Sequence, residues 1–477
     1  MCRWWWVGLV LAFSLATGGA MAADTPWPLK TPAELGALHG PTFTGAHILT
    51  YRHQVEPAQP GAAPRIVIGI GDDFVFREEG DTRLVIDLRL GRLYSFETGK
   101  RYVSYPIEAD VIWRDQELNN RAGINKALAA AHIERPGLDP FWDAIELKMV
   151  MPGEPPIELE SRNDGGESVI AYKGAEISRW RPVLQPLPQR SAAHLRQALR
   201  WLWPVHPEVA ERIASGGSAP EHLRTRVQIA FQVQTHDFQL IDSRWCDKCD
   251  AIPADAQPGL GVGGAFETEI APVMVAAIQG KFKSPSSDDY LRRIDAALDR
   301  GATLEAFVWF LERLLQDGIH RCAPDDATSL CRVQNRLVEQ MRTNADAQAM
   351  QRGLTTRSIA AAQAIAAMRD KVRDNGYYVD LASLNAVPDS ALRFKSPSQE
   401  PLKTAERQMV SAIKGMPMVP AVYRDIGKIY FAAVDPRRAF LAWEMGEANP
   451  GRSSEADLWG FVEKIKAEAR RRHPELF

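Results

Sequence analysis

Residues 83–105, RLVIDLRLGRLYSFETGKRYVSY, decide the fold class of the amino-terminal half of the chain. Leucine or isoleucine stands at every even position from 84 to 90, and residues 92–105 are rich in aromatic and aliphatic side chains. A period of two predicts β-strands that bury one face. Because the turn-forming segments Glu79–Asp81 and Thr98–Lys100 separate these strands, we expect a succession of antiparallel hairpins.

Similar patterns predict further elements on both sides of this stretch. More strands are expected at Arg65–Ile70, Ile157–Ser161, Ser168–Ala171 and Arg226–Leu240, the last as one long strand that returns to the N-terminal sheet. Short helices are expected at Asn119–Ala131, Ala192–Trp203 and His206–Ala214, and a loop is expected at Cys249–Gly264.

The carboxyl-terminal half changes character after Ser284. Apolar residues recur three and four positions apart, which predicts amphipathic helices joined by short turns into antiparallel pairs, as in an α-solenoid. We therefore predict an α+β fold, with a mainly antiparallel β domain containing inserted helices at residues 23–265 and an α-helical repeat domain at residues 266–477. The helices predicted there include Asp288–Leu298, Leu304–Leu315, Ala327–Met341, Ser358–Arg373, Leu402–Lys414 and Glu455–Arg470.

The strongest motif of the chain lies at residues 420–451. Two adjacent predicted helices carry bulky aromatic and small residues at fixed spacings, and this pattern resembles a tetratricopeptide repeat. The sequence departs from the family at Gly446, where alanine is usual, and at Pro450, one place before the usual proline. The resemblance implies a surface that binds another protein or peptide without a cofactor; a non-repeating helical bundle is the alternative. The signature positions are Tyr423, Ile426, Gly427, Tyr430, Ala439 and Trp443.

A second resemblance concerns the predicted hairpins of the amino-terminal half. The segments Asp87–Arg89 and Gly91–Tyr94, which run into Lys100–Tyr102, are similar to the antiparallel sheets of periplasmic lipoprotein-carrier proteins. This similarity implies an antiparallel sheet in a protein of the cell envelope.

The first 22 residues have the features of a secretory signal peptide. Arg3 precedes an apolar run from Trp4 to Ala16, and small residues close the segment at Ala20–Ala22. The run is shorter than the roughly 20 residues that a membrane-spanning helix needs, so we expect cleavage. Cys2 precedes the run and is therefore not the cysteine of a lipoprotein. We predict a soluble periplasmic or secreted protein with no stable membrane insertion after cleavage.

Four cysteines remain after removal of the leader, an even number in a compartment that we expect to be oxidising. Cys322 and Cys331 are close in sequence and predict a local structural disulfide. Cys246 and Cys249 predict a second one.

The second pair leaves two further hypotheses open. Trp245 before it gives the pattern Trp-Cys-x-x-Cys, which resembles the redox dithiol of thioredoxin-like proteins, with Cys246 as the attacking thiol and Cys249 as the resolving one. The pair could also be half of a zinc site, which needs two more ligands, and His236 is the nearest histidine in sequence.

Composition and motifs narrow the possible functions. The 477 residues carry a formal net charge of −3, which gives no electrostatic reason to expect nucleic acid as a partner. Gly259–Gly264 matches a dinucleotide-binding spacing, but it follows Pro258 instead of a strand, so a loop is favoured.

No metal site, cofactor or catalytic residue is predicted. The leading hypothesis is an exported cell-envelope protein that acts by binding a protein or peptide partner. A thiol-disulfide protein and a hydrolase with an inter-domain site are the alternatives.

Overall fold

The structure is a computed structural model with an α+β fold, a sheet followed by helices. It describes residues 25, 27–40, 45–58, 65–96, 101–132, 141–142, 158–183, 186–229, 232–317, 328–393, 400–451 and 458–477. The predicted leader and Cys322 lie outside these ranges. Within them, no helix combines the length and the apolar character that crossing a membrane requires.

The described residues contain twelve strands that form one sheet in the order β12-β6-β5-β4-β3-β2-β1-β11-β10-β9-β8-β7. Neighbouring strands are antiparallel, and only β12 pairs parallel, with β6. The strands are β1 Ala46–Glu56, β2 Arg65–Gly71, β3 Phe74–Glu79, β4 Thr82–Asp87, β5 Arg92–Phe96, β6 Arg101–Pro106, β7 Glu160–Asp164, β8 Glu167–Tyr172, β9 Ala175–Pro182, β10 Pro220–Ile229, β11 Gln232–Cys246 and β12 Gln257–Pro258.

The long strand predicted at Arg226–Leu240 is two strands. The chain does return to the N-terminal sheet, because β11 pairs with β1 and places Ala46 opposite Cys246. However, β10 and β11 pair with each other as a hairpin, with Gln228 opposite Val233. The alternation of polar and apolar residues continues through the hairpin, so periodicity alone does not reveal the change of direction.

The strand predicted to extend to Leu90 ends earlier, at Asp87. A turn follows, in which Oδ1 of Asp87 accepts a hydrogen bond from the backbone N–H of Leu90 at 2.7 Å, and Gly91 has a φ of +62°. A positive φ suits glycine, which has no Cβ to clash. Leu88 and Leu90 thus continue the alternating pattern of the strand without belonging to it.

Helices cover the sheet and make up most of the carboxyl-terminal half. They are α1 Pro32–His39, α2 Ile107–Ala130, α3 Gln189–Ala193, α4 Leu195–Leu202, α5 Pro207–Ser215, α6 Ala271–Ile278, α7 Ser287–Asp299, α8 Thr303–Asp317, α9 Ser329–Met341, α10 Ala345–Thr356, α11 Ile359–Ala366, α12 Gly376–Ala386, α13 Asp389–Arg393, α14 Glu400–Gly415, α15 Pro420–Ala432, α16 Pro436–Glu447 and α17 Gly460–Arg472. A π-helical turn, Phe266–Ile270, leads into α6.

Several predicted helix bounds were wrong. The helix predicted at Asn119–Ala131 starts twelve residues earlier, at Ile107, directly after β6. The helix predicted at Ser358–Arg373 ends at Ala366, and a separate 3₁₀ turn follows at Arg369–Lys371. Helix α12 begins at Gly376, although glycine more often follows the end of a helix.

The two faces of the sheet pack against different layers. One face, with Tyr51 and Leu93, joins a core that continues through the helices of the carboxyl-terminal half. The opposite face, with Phe74 and Tyr94, packs under α1 and the segment that follows Cys249. Because the larger core is shared, the sheet and the helices meet along a common boundary, and the candidate site lies there.

Candidate functional site

The six signature residues of the predicted repeat lie together in the α15–α16 pair. A Cβ built at Gly427 would lie 2.0 Å from Nε1 of Trp443, so the two helices approach closely at the glycine. The indole N–H of Trp443 donates to the carbonyl of Arg424 at 3.1 Å. All six positions are buried: Tyr423, Ile426, Gly427, Tyr430, Ala439 and Trp443. These residues pack the two helices against each other, and of the six only Tyr430 also lines the cleft described next.

A cleft of about 580 Å³ lies where the α15–α16 turn faces the sheet. Strands β5 and β6, helix α2, the glycine-containing loop after β12 and the helical pair each contribute to its walls. The lining residues are Ser95, Val103, Tyr105, Trp113, Gly261, Val262, Gly263, Tyr430, Ala433, Val434, Asp435, Arg437 and Arg438.

Arg437 lies on the side of the cleft formed by the sheet and α2. Its Nη2 donates to Oδ1 of Asp110 at 2.8 Å, and its side chain remains 45 % exposed. The guanidinium carbon lies 5.0 Å from the ring centroid of Tyr105 and 5.9 Å from that of Trp113. A guanidinium over an aromatic face is an attractive cation–π arrangement. This side of the cleft therefore combines hydrogen-bond donors with flat apolar surfaces.

Arg438 lies on the loop side of the cleft. Its Nη2 donates to the carbonyls of Val262 and Gly263, and its Nη1 pairs with Oδ2 of Asp435 at 3.1 Å. Its Nε is buried and has no hydrogen-bond partner among the residues that the structure describes. A buried N–H without an acceptor is costly, and such groups are rare in native proteins.

The turn between α15 and α16 is strained at Val434. The N–H of Val434 donates to the carbonyl of Phe431 at 3.2 Å, and the N–H of Asp435 donates to that of Tyr430 at 2.9 Å. This is a Schellman motif, which usually has glycine where this chain has valine. Val434 has a φ of +63°, a conformation that β-branched residues rarely adopt. Strained backbone of this kind is concentrated at functional sites.

Ion pairs fix helix α2 against the helix near the carboxyl terminus. Nε of Arg470 lies 2.6 Å from Glu108, and Asp115 pairs with both Arg472 and His473 at 2.8 Å. Glu108 and Asp115 are buried, so their charges need these partners. The wall of the cleft that carries Asp110 and Trp113 is thus held in place from behind.

The cysteines lie away from the lining of the cleft. Cys246 and Cys249 form a disulfide bond across the turn that ends β11, and both pack against the smaller core. Cys246 is at the end of strand β11, whereas the attacking thiols of thioredoxin-like proteins lie at the N-terminus of a helix. Cys331 is buried and disulfide-bonded, and its predicted partner Cys322 lies outside the described residues.

The proposed zinc ligand His236 belongs to a different arrangement. Its Nδ1 lies 3.1 Å from Nε2 of His53, and the two rings stack. Among the described residues, no group of three or more histidine, cysteine, aspartate or glutamate side chains has the geometry to hold a metal ion.

Sequence reasoning missed the charged residues of the cleft. Asp110, Arg437 and Arg438 come from segments more than 300 positions apart, and no local pattern joins them. The one available signal was the pair of arginines directly after Asp435-Pro436, at the start of a predicted helix, where cations are unfavourable to the helix dipole. Comparison of the chain with protein-family models, curated proteins and solved structures found no match.

Proposed function

We propose that the mature chain is an exported protein of the cell envelope, periplasmic or secreted, that binds another protein or peptide at the cleft beside the α15–α16 turn. The observation that carries the proposal is the composition of that cleft. Its 580 Å³ lie in the range of ligand sites, and its walls combine aromatic faces with a few convergent polar groups. The signal-peptide pattern and the resemblance to tetratricopeptide repeats support the location and the mode of action.

Binding fits the lining of the cleft better than hydrolysis does. A hydrolase of the nucleophilic type needs a nucleophile and a base within hydrogen-bond reach of each other. Among the described lining residues, Ser95 carries the single aliphatic hydroxyl, and neither histidine nor cysteine accompanies it. Arginines, by contrast, are enriched at protein–protein interfaces together with tyrosine and tryptophan.

Thiol-disulfide exchange at Cys246 and Cys249 is the second candidate function. It is favoured by one observation, the exposure of Trp245, which directly precedes Cys246 in the chain and is 44 % exposed. The acidic neighbours Asp247 and Asp250 act against it, because nearby negative charge disfavours the thiolate that attacks in thiol-disulfide exchange. Alkylation of Cys246 under graded reductant distinguishes the two roles, since a structural disulfide resists reduction and a redox disulfide does not.

The binding function is tested by selection from a phage-displayed library of random peptides against the immobilised mature chain. We expect peptides whose binding is lost in the Arg437→Ala/Arg438→Ala double variant. Arg292→Ala is the matched control, because Arg292 is 77 % exposed and, among the described residues, its ion pair lies within its own helix, with Asp289. Failure to enrich any peptide, or equal binding to the double variant and the control, would overturn the proposal.

A further inference from the structure

We propose that the cleft recognises an acidic side chain that stands next to an aromatic or aliphatic residue in the partner. The carboxylate binds Arg437, and the apolar neighbour packs on the ring of Trp113. This inference rests on the proposed function, since it names the chemistry of the partner that the same cleft would bind.

The hydrogen bonds of the cleft leave donors in excess. A guanidinium has five N–H groups. Arg437 uses one of them, toward Asp110, in the bonds described, and its side chain is 45 % exposed. A ligand that carries an acceptor can therefore bind the exposed donors of Arg437.

The carboxylates of the cleft are already engaged. Asp110 accepts from Arg437 at 2.8 Å and from Arg114 at 2.9 Å. Asp435 accepts from the backbone N–H of Arg438 at 3.1 Å and pairs with the side chain of the same residue. Each of the four oxygens of Asp110 and Asp435 already accepts a hydrogen bond or pairs with an arginine, so a carboxylate from a ligand would give Arg437 a second anionic partner.

Negative charge near the loop directs the ligand to the Arg437 side. Oε2 of Glu267 accepts from the N–H of Gly263 at 3.1 Å, and Glu406 accepts from the hydroxyl of Tyr430 at 3.4 Å. A second carboxylate is repelled there. Arg437 is farther toward the sheet and is the more exposed of the two arginines, with 45 % of its side chain exposed against 17 % for Arg438.

The surroundings of Arg437 are the reason for proposing an apolar residue next to the acidic one in the partner. Trp113 borders the cleft and is 36 % exposed, which is unusual for so large an apolar residue, whereas Tyr105 in the same wall is 2 % exposed. Exposed aromatic residues next to an arginine are typical anchor points of interfaces. An apolar residue beside the carboxylate would remove this surface from water.

The test compares two peptide libraries that differ only in acidic residues. In one library aspartate and glutamate are allowed, and in the other asparagine and glutamine replace them; all peptides have blocked termini so that no terminal carboxylate contributes. We expect binders from the acidic library, enriched in Asp or Glu beside Phe, Trp or Leu. Replacing that acidic residue by its amide should weaken binding by about tenfold or more, as the loss of a charge-assisted hydrogen bond does.

A double-mutant cycle locates the contact. Arg437→Ala should bind the acidic and the amide peptide equally. Arg437→Lys keeps the charge but loses the planar fork, so its preference for the acidic peptide should lie between those of the unaltered chain and Arg437→Ala. If the acidic-to-amide change matters as much in Arg437→Ala as in the unaltered chain, the inference is wrong. If the neutral library yields binders of equal affinity, the inference also fails while the binding function stands. If neither library yields any binder, the proposed function fails.

Discussion

Arg92 on β5 and Glu444 on α16 form a two-pronged ion pair that joins the sheet to the helical pair. Nη1 of Arg92 lies 2.7 Å from Oε1 of Glu444, and Nη2 lies 3.0 Å from Oε2. Both side chains are at least 94 % buried, and Nε of Arg92 donates to Ser104 at 2.8 Å. The ion pair holds α16, and with it Arg437 and Arg438, against the sheet.

Removing one member of this pair should be costly. Glu444→Ala leaves the buried guanidinium without its carboxylate, and we expect the free energy of unfolding to fall by about 3 to 5 kcal/mol. The double variant Arg92→Met/Glu444→Leu removes both charges and should be much closer to the unaltered protein in stability. Urea denaturation followed by circular dichroism measures both. An equal loss of unfolding free energy in the single and the double variant would show that the unpaired buried charge of Arg92 is not what destabilises Glu444→Ala.

Gly427 should tolerate no side chain. In Gly427→Ala the new Cβ collides with the indole of Trp443, and we expect a loss of about 1 to 3 kcal/mol from overpacking. Gly123→Ala is the matched control, because Gly123 lies in the exposed part of α2 and a Cβ there meets no atom within 4 Å. That change should stabilise the helix by roughly 0.5 to 1 kcal/mol. Thermal unfolding that shifts in the same direction for both variants would argue against a close crossing at Gly427.

Val434→Gly should stabilise the protein, although it shortens a side chain. Glycine adopts a positive φ without steric cost, and relief of the strained turn is worth about 1 kcal/mol. Val434→Ala keeps the Cβ and therefore the strain, so it should not be more stable than the unaltered chain. Differential scanning calorimetry measures the two midpoints. A lower midpoint for Val434→Gly than for Val434→Ala would show that the turn is not strained by the Cβ.

Glu312 should make stability depend on pH. It lies in α8, and its carboxylate accepts from the hydroxyls of Tyr290 at 3.0 Å and Tyr377 at 3.0 Å, which joins α7, α8 and α12. Burial raises the pKa of Glu312 to about 7, and the hydrogen bonds from these tyrosines and the charge of Arg293 only partly oppose that effect. The folded state therefore holds the proton more tightly than the unfolded state, whose pKa is near 4.5.

The sign of the effect follows from this difference. The contribution of protonated Glu312 to stability is complete below pH 4.5 and is lost as the pH rises to about 7, by on the order of 3 kcal/mol. Glu312→Gln does not titrate, so its stability relative to the unaltered protein should rise between pH 5 and pH 8. Urea midpoints at both pH values measure this difference. A constant difference between the two proteins would show that the carboxyl group does not change its protonation over this range.

The sequence predicted the α+β class because the alternation in residues 83–105 and the helical spacing after Ser284 are local properties. The ends of strands and helices were harder to predict. The alternation of Arg226–Leu240, for example, continues through a hairpin and hides the turn between its two strands. Helix α10, Ala345–Thr356, was missed because few of its residues are large and apolar. The six signature residues lie in the α15–α16 pair and are buried there, whereas most residues that line the cleft carry no such sequence pattern.

The cleft could not be predicted, because its walls are assembled by long-range packing. The run Arg470–Arg472 illustrates the difficulty. The sequence alone predicts a cationic helix end that complements the helix dipole. In the structure, Arg470 pairs with Glu108 and Arg472 pairs with Asp115, both on α2. Only the fold shows that this helix supports the wall that carries Asp110. Local patterns carry no information about a partner more than 300 positions away.

Hydrogen–deuterium exchange of the protein, measured with and without a selected acidic peptide, shows whether the peptide binds at the cleft. Binding at the cleft should slow exchange at residues 261–263 and 433–438, with little change at the exposed faces of α9 and α11, where Val338 and Ile359 are open to solvent. Protection confined to α9 and α11, or no protection of the α15–α16 turn at a saturating peptide concentration, would show that the peptide does not bind at the cleft.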